Sequence, residues 1–320
     1  MSVVIDVAGA SQGGAARFLT ELDSYVDQRD TDARIIGRNS PLTARWLGWR
    51  EYAARGAGVV VATNNVSFIG GRGQRCVLLR NALHFLTESE ASGALSRPRS
   101  IIVQTPVVRA AARRADIIVV PCTEMANRVV ATDPSLAERV TVRHHPVTPL
   151  RFRDAGLKAH PFILVPVLFA SYKKMPNHID SLLTAMSEVS VQFQLRLTAS
   201  TSEVPQHIAD HPSVKLLGRL PPGDLESQWN SCSVVFFPTV VESFGYPLAE
   251  ARANGIPVIA QDTAQNREVA GPALCGFFPN DEGSLSGAVQ VAAGRAVVAD
   301  AEPFDPASYF DLLLGRRSEE

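Results

Sequence analysis

Ser233-Val-Val-Phe-Phe-Pro-Thr-Val-Val-Glu-Ser-Phe-Gly-Tyr-Pro-Leu-Ala-Glu-Ala-Arg-Ala-Asn-Gly255 joins two elements of different period through one tight corner. The apolar run Ser233–Pro238 is short, β-branched and aromatic, and reads as a buried strand. Pro247 suits the first helical position and Gly255 the residue just past the end, so Pro247–Asn254 reads as a helix. Between them lie Ser243, Phe244, Gly245 and Tyr246. A glycine there lets backbone approach a ligand, and the N–H groups of a helix start attract an anion such as phosphate. Glu242 and Glu250 bracket the corner. A carboxylate accepts hydrogen bonds from two adjacent hydroxyls, which suits sugar and ribose diols.

The same alternation continues in both directions. Phe162–Phe169, Phe193–Ala199, Val214–Leu217, Val234–Phe237 and Val258–Ala260 read as strands, and Ile179–Val189, Leu225–Ser231 and Leu285–Ala293 as helices. In the first half, Val3–Ala8, Ala33–Gly37, Val59–Thr63, Cys76–Leu79 and Asp116–Pro121 read as strands, with a helical pattern over Ala15–Val26. Ser100–Ala115 fits either type: Ile101–Val103 favour a strand, Val107–Ala115 a helix that Pro106 would start. Strands alternating with helices imply parallel sheets covered on both faces. The expected fold is therefore α/β, two Rossmann-like doubly wound domains facing across a cleft where ligands of open sheets bind. The breaker-rich stretch from His145 to Pro161 reads as a linker, and the adjacent His144 and His145 itself read as linker residues. The stretch divides residues 1–150 from 151–300, with 301–320 a C-terminal segment in which Phe304–Leu314 reads as a helix.

Composition narrows the function classes. An apolar share of 46% and a charged share of 20% suit a globular enzyme, with disorder expected only near Arg316–Glu320. No apolar run is long enough to span a bilayer, and Met1–Ala8, with Asp6 and no basic leader, reads as a first strand rather than a signal peptide. Cys76, Cys122, Cys232 and Cys275 are far apart, which favours a reduced, cytoplasmic protein without a zinc site. Residues 1–150 hold 18 Arg and 13 acidic residues, +5, and the remainder comes to −6, giving the net −1. A basic and an acidic half suggest different partners, yet +5 without interleaved aromatics is no nucleic-acid signature. Arg97, Arg99, Arg109, Arg113 and Arg114 flank a partly apolar segment. They read as a solvated helix face, or as a contact for a phosphorylated acceptor or an anionic membrane surface.

Glu242-x7-Glu250 after a strand ending in Pro238, followed by Glu250-Ala-x-Ala-x-Gly-x-Pro-Val-Ile259, resembles the donor site of the retaining family 4 glycosyltransferases, which have the GT-B fold. Val214–Leu220, Leu225–Val234 and Arg267–Gly271 fall in the expected order, so the resemblance is dense over about 160–290 and thin over 1–150. It implies transfer of a sugar from a nucleotide diphosphate donor, expected to be a UDP-sugar, to a small or medium acceptor such as a metabolite, antibiotic precursor or glycan. It implies no cofactor beyond that co-substrate and no obligatory metal. By the same resemblance, Glu250 would hold the ribose, Glu242 the donor sugar, and the backbone of Ser243, Phe244, Gly245 and Tyr246 the sugar and diphosphate. Taken alone, the two glutamates would read as solvated acids.

The family usually places an Arg and a Lys after the first strand of the second domain. This chain offers Lys173 and Lys174, of which Lys174 is preferred; the Arg is missing, and the lysines sit a few residues early relative to Leu182–Ala185. Arg219 is a weaker diphosphate contact. Gly13 and Gly14 follow the first strand and would reach the diphosphate; a plain tight turn is the bland alternative. A dinucleotide fingerprint fits poorly, since Gly9-x-x-x-Gly13-Gly14 has the wrong spacing and no acid follows Gly37-Arg38. Asn81 and His84, past the fourth strand, are candidates for contact near the reacting carbon. Competing readings are another GT-B enzyme, an epimerase or phosphorylase, a non-catalytic nucleotide-sugar binding protein, and a dinucleotide oxidoreductase.

Overall fold

A computed structural model describes residues 2–315 apart from 11, 12, 30, 88, 89, 91–97, 152–159, 168, 170–172 and 240. Arg97, the middle of the expected linker and the chain end after Gly315 therefore lie outside the described residues. The chain forms two compact units. One comprises Met1–Val147, Val241–Phe244 and Phe304–Glu320; the other comprises Thr148–Val240 and Gly245–Pro303. The corner quoted above thus changes unit between Phe244 and Gly245.

The first unit is built on six strands: β1 (Val3–Asp6), β2 (Ala33–Ile36), β3 (Val59–Ala62), β4 (Gln74–Leu78), β5 (Ile117–Val120) and β6 (Val140–Val142). Their order is β2-β1-β3-β4-β5-β6, and every neighbouring pair is parallel. β1 and β3 are buried at all four positions, as Val-rich strands covered on both faces must be. The covering helices are α1 (Gly13–Gln28), α2 (Ala44–Ala53), α3 (Arg99–Ala112) and α4 (Thr123–Thr132). The ambiguity over Ser100–Ala115 resolves as one helix, with Pro106 inside it rather than at its start. Pro106 is exposed, as is Ile102, whose carbonyl the missing N–H leaves without its helical partner.

A buried charge cluster closes the carboxyl end of β1. Asp6 and Arg50 of α2 are 2.7 Å apart and almost wholly buried. Asp6 also accepts from Trp46 Nε1, Asn64 Nδ2 and the Ala8 N–H. Arg50 donates to the carbonyls of Val66 and Ser67 and lies 4.4 Å from the Phe68 ring centroid. The pair therefore holds β1, α2 and the loop after β3 together, with most of its hydrogen-bonding capacity satisfied.

Helix α11 (Pro306–Leu313), capped by Asp305, packs on α1 within the same unit. Tyr25 donates to Asp311, and Phe18 meets Tyr309 and Phe310 edge-on at 5.8 and 5.6 Å. His145 belongs to this cluster rather than to a linker. It is 2% exposed, 5.7 Å from Phe18, with Nδ1 3.3 Å from the Tyr309 hydroxyl.

The second unit holds β7 (Phe162–Val165), β8 (Gln194–Leu197), β9 (Val214–Leu216), β10 (Val234–Phe237), β11 (Val258–Gln261) and β12 (Leu274–Phe277). All pairs are parallel, in the order β12-β11-β10-β7-β8-β9. Its helices are α5 (Met175–Ser187), α6 (Gln206–Ala209), α7 (Pro222–Ser231), α8 (Tyr246–Ala253), α9 (Ala264–Ala270) and α10 (Ser284–Gly294). Both sheets confirm two doubly wound α/β folds.

Asp6→Ala is expected to destabilise the first unit by about 3–5 kcal/mol, because it strands a buried guanidinium. Urea unfolding measures this; a cost below about 1 kcal/mol would show that Arg50 needs no charged partner there.

Candidate functional site

Strand order points to one edge of the second sheet as the candidate site. β7 pairs with β8 on one side and β10 on the other, so the chain winds outward in opposite directions from this pair. The carboxyl edge of such a strand pair, where the connections depart to opposite sides, is the usual ligand position in open α/β sheets. The segment after β7 leads through Lys173 and Lys174 into α5; the segment after β10 leads through Gly245 into α8.

Neither helix start has a side-chain cap. At α8, Gly245 is the N-cap with φ 88°. A Cβ there would lie 3.0 Å from Leu248 Cδ1 and 3.2 Å from the Phe237 ring, so both conformation and space call for glycine. Pro247 takes the second helical position rather than the first. Gly255, at φ 63°, ends the helix, and a Cβ on it would come within 2.7 Å of the Val297 carbonyl. Arg252 fixes α8 from its far end through Asp300, at 2.7 Å, and the Glu268 carbonyl. Glu250 is half-buried on the first turns of this anchored helix.

At α5 the N-cap is Lys174, in the left-handed region at φ 47°, ψ 36°. That conformation costs a non-glycine residue about 1–2 kcal/mol. A cation at the positive end of a helix is a second cost. Both are offset when an anion binds. Lys174 is exposed and Lys173 half-buried. His178, one turn into α5, is held below its ordinary pKa by burial and then by the Lys174 charge.

The upstream half of the corner is seated in the first unit. Arg128 Nη1 donates to the Glu242 carbonyl at 3.1 Å while its other nitrogens bind Glu90 at 2.7 and 3.1 Å. The Ser243 hydroxyl donates to the Arg80 carbonyl at 2.6 Å, and the Cys122 thiol donates to the Ser243 carbonyl at 3.1 Å. Phe244 is 1% exposed, 5.1 Å from His145 and 6.2 Å from Phe304. Ser243 and Phe244 therefore have their side chains committed to packing. Glu242 is half-buried, and Arg128 engages it through its carbonyl. Arg80, Cys122 and Arg128 were not singled out by the sequence, and nothing local marks them, since their partners are 114 to 163 residues away.

The remaining candidates divide. Gly13 and Gly14 are exposed at the start of α1, Gly13 with φ 56°. Arg219 follows Gly218, at φ 67°, and is exposed, 3.9 Å from Glu203. Asn81 caps the turn Ala82–His84 by accepting from the Leu83 N–H. His84 is 2% exposed, its Nδ1 3.1 Å from the Thr105 hydroxyl, and its carbonyl accepts from Arg109. Burial, then the Arg109 charge, lowers its pKa to about 4. The ring is thus buried against Thr105.

Residues 166–294 match the family model described as glycosyl transferases group 1. The solved structure of WaaG, a glycosyltransferase involved in lipopolysaccharide biosynthesis, superposes with a TM-score of 0.70 at 13% identity, covering 98% of this chain and 100% of that one. The fold is that of a GT-B glycosyltransferase. A second GT-B neighbour, an α,α-trehalose-phosphate synthase (UDP-forming) from Burkholderia vietnamiensis, gives 0.62 at 10% identity, covering 98% of both chains. O-antigen chain mannosyltransferase B of Escherichia coli is 32% identical over 73 residues, 23% of this chain. The match spans only about a fifth of that protein's length, 19%.

Because the folded His84 pKa lies near 4 against an ordinary 6.5, folded protein resists protonation that the unfolded chain accepts. The melting temperature is therefore expected to hold above pH 6.5 and to fall between about pH 6.5 and 4. His84→Gln should flatten part of that slope; an identical slope in the variant would remove His84 as a cause.

Proposed function

We propose that the chain is a retaining glycosyltransferase that moves a sugar from a UDP-sugar to a small or medium acceptor, such as a metabolite, an antibiotic precursor or a glycan. The observation that carries this reading is the strand-order reversal beside β7. It gathers two uncapped helix starts, one bearing a left-handed Lys174, within the stretch that matches the glycosyltransferase model. The UDP-forming neighbour supports the base, and the E. coli mannosyltransferase and WaaG support a glycan acceptor.

In the reaction, the bond from the anomeric carbon to the diphosphate oxygen breaks and the acceptor hydroxyl oxygen bonds to the same face of that carbon. The hydroxyl proton leaves with the departing diphosphate. Charge grows on the diphosphate as the bond breaks, so fixed positive groups aimed there lower the barrier. Lys174, with Lys173 and the α5 and α8 starts, is assigned that charge, and no metal is required. Glu250 is assigned the ribose hydroxyls and Glu242 the donor sugar. Gly13, Gly14 and Arg219, all exposed, are left open to phosphate; Asn81 and His84 are assigned no contact. The four cysteines, buried and in no disulfide, fit a reducing, cytoplasmic setting.

A thermal-shift panel of nucleotides and nucleotide sugars should raise the melting temperature for UDP and its sugars, since a ligand of the native state stabilises it. Glu242→Ala and Glu250→Ala should each lower kcat/KM for the donor by a factor equivalent to about 1–3 kcal/mol. Lys174→Ala should mainly lower kcat, and EDTA should leave turnover intact. Undiminished turnover in both glutamate variants would refute the donor assignment. UDP binding without turnover across an acceptor panel would instead identify a binding protein.

A further inference from the structure

Helix α3 is apolar on both sides. Thr105, Val108, Ala111 and Ala112 face the core. Ile102, Val103 and Val107 face out, 49%, 74% and 52% exposed, with Pro106 and Ala110 exposed among them. Positions 99, 103, 106, 110 and 114 follow a spacing of three and four, so the exposed residues form one stripe along the helix. Arginine stands at both ends. Arg99 opens the helix and Arg113 and Arg114 follow it; Arg113 is paired with Asp133 at 2.6 Å. Arg99 and Arg114 are exposed and have no ion-pair partner among the described residues. Residues 91–115 contain five arginines and no acidic residue.

Beside the stripe, between α2 and α3, runs a groove of about 560 Å³ lined by Leu47, Val66, Ile69, Val107, Ala110 and Arg114. Ile69 is itself 60% exposed. The acid in this groove, Glu51, already accepts from the N–H groups of Ile69 and Gly70.

We propose that this face of the first unit docks on an anionic lipid bilayer. Ile102, Val103 and Val107 enter the interface, the groove receives an acyl segment, and Arg99 and Arg114 meet headgroup phosphates. An apolar stripe this large and contiguous marks an interaction surface rather than scattered exposure. Charge complementarity selects the occupant: an acid-free, arginine-flanked apolar helix is the arrangement that lies in the plane of an anionic membrane, and guanidinium binds phosphate in a forked geometry. With one short helix the attachment is reversible and salt-sensitive. The inference stands apart from the donor-site reading, because none of these residues belongs to that site.

Vesicle flotation with the full chain tests it, comparing phosphatidylcholine alone with phosphatidylcholine containing phosphatidylglycerol, at low and high salt. Binding is expected only with phosphatidylglycerol, weakening with salt. Arg99→Gln with Arg114→Gln should reduce it ~5-fold per arginine. A triple serine variant at positions 102, 103 and 107 should abolish it. All these sites are exposed, and unchanged far-UV spectra and melting temperatures confirm folding. Absence of binding to phosphatidylglycerol vesicles, equal binding to neutral ones, or full binding by both variants would overturn the proposal. So would a concentration-dependent dimer in sedimentation that the serine variant abolishes, since the face would then belong to a second copy.

Discussion

The pairing of β7 with β10 is the constraint on which the site depends. Six parallel strands in the order β12-β11-β10-β7-β8-β9 reverse their winding at that one pair, and two connections must leave its carboxyl edge in opposite directions. Each connection leads to a helix start without a side-chain cap, where the first backbone N–H groups have no partner within the helix. A different pairing at β7 would separate the lysine-bearing start of α5 from the glycine-bearing start of α8.

The corner after β10 is held by unequal means on its two sides. Downstream, α8 is tied within the second unit by Arg252, Asp300 and the left-handed stop at Gly255. Upstream, Glu242 and Ser243 are gripped by their backbone carbonyls, and Phe244 sits in an aromatic cluster with His145 and Phe304 that continues through Phe18 to α11. Edge-on aromatic pairs are each worth about 0.5–1.5 kcal/mol beyond their buried area. Gly245, at φ 88°, lies between the two regimes, and its freedom to adopt that angle lets a rigid strand and a rigid helix be joined without distorting either.

Much of this was legible in the sequence because it follows from local pattern. Short valine-rich runs gave the central strands, and the proline and glycine around Leu248–Asn254 gave α8. What was not legible is long-range or weakly patterned. β6 is a three-residue strand at a sheet edge, without a buried run to betray it. α2 lacks an apolar stripe, since Trp49 and Tyr52 are exposed and its one buried residue is Arg50. α3 looked like a strand at Ile101–Val103 because its outward residues are as apolar as its inward ones. His145 sits among breakers typical of a linker, yet partners far away in the chain bury it. His84 shows the converse: a histidine at a sheet edge suggested chemistry, while Thr105 and Arg109 had already claimed its ring and carbonyl.

The most direct test is a crystal structure of the chain with uridine diphosphate. Density is expected at the β7–β10 edge, with the diphosphate against the start of α8 and the Lys174 side chain and the ribose hydroxyls on Glu250. Density for the nucleotide elsewhere, with that edge empty, would contradict the account.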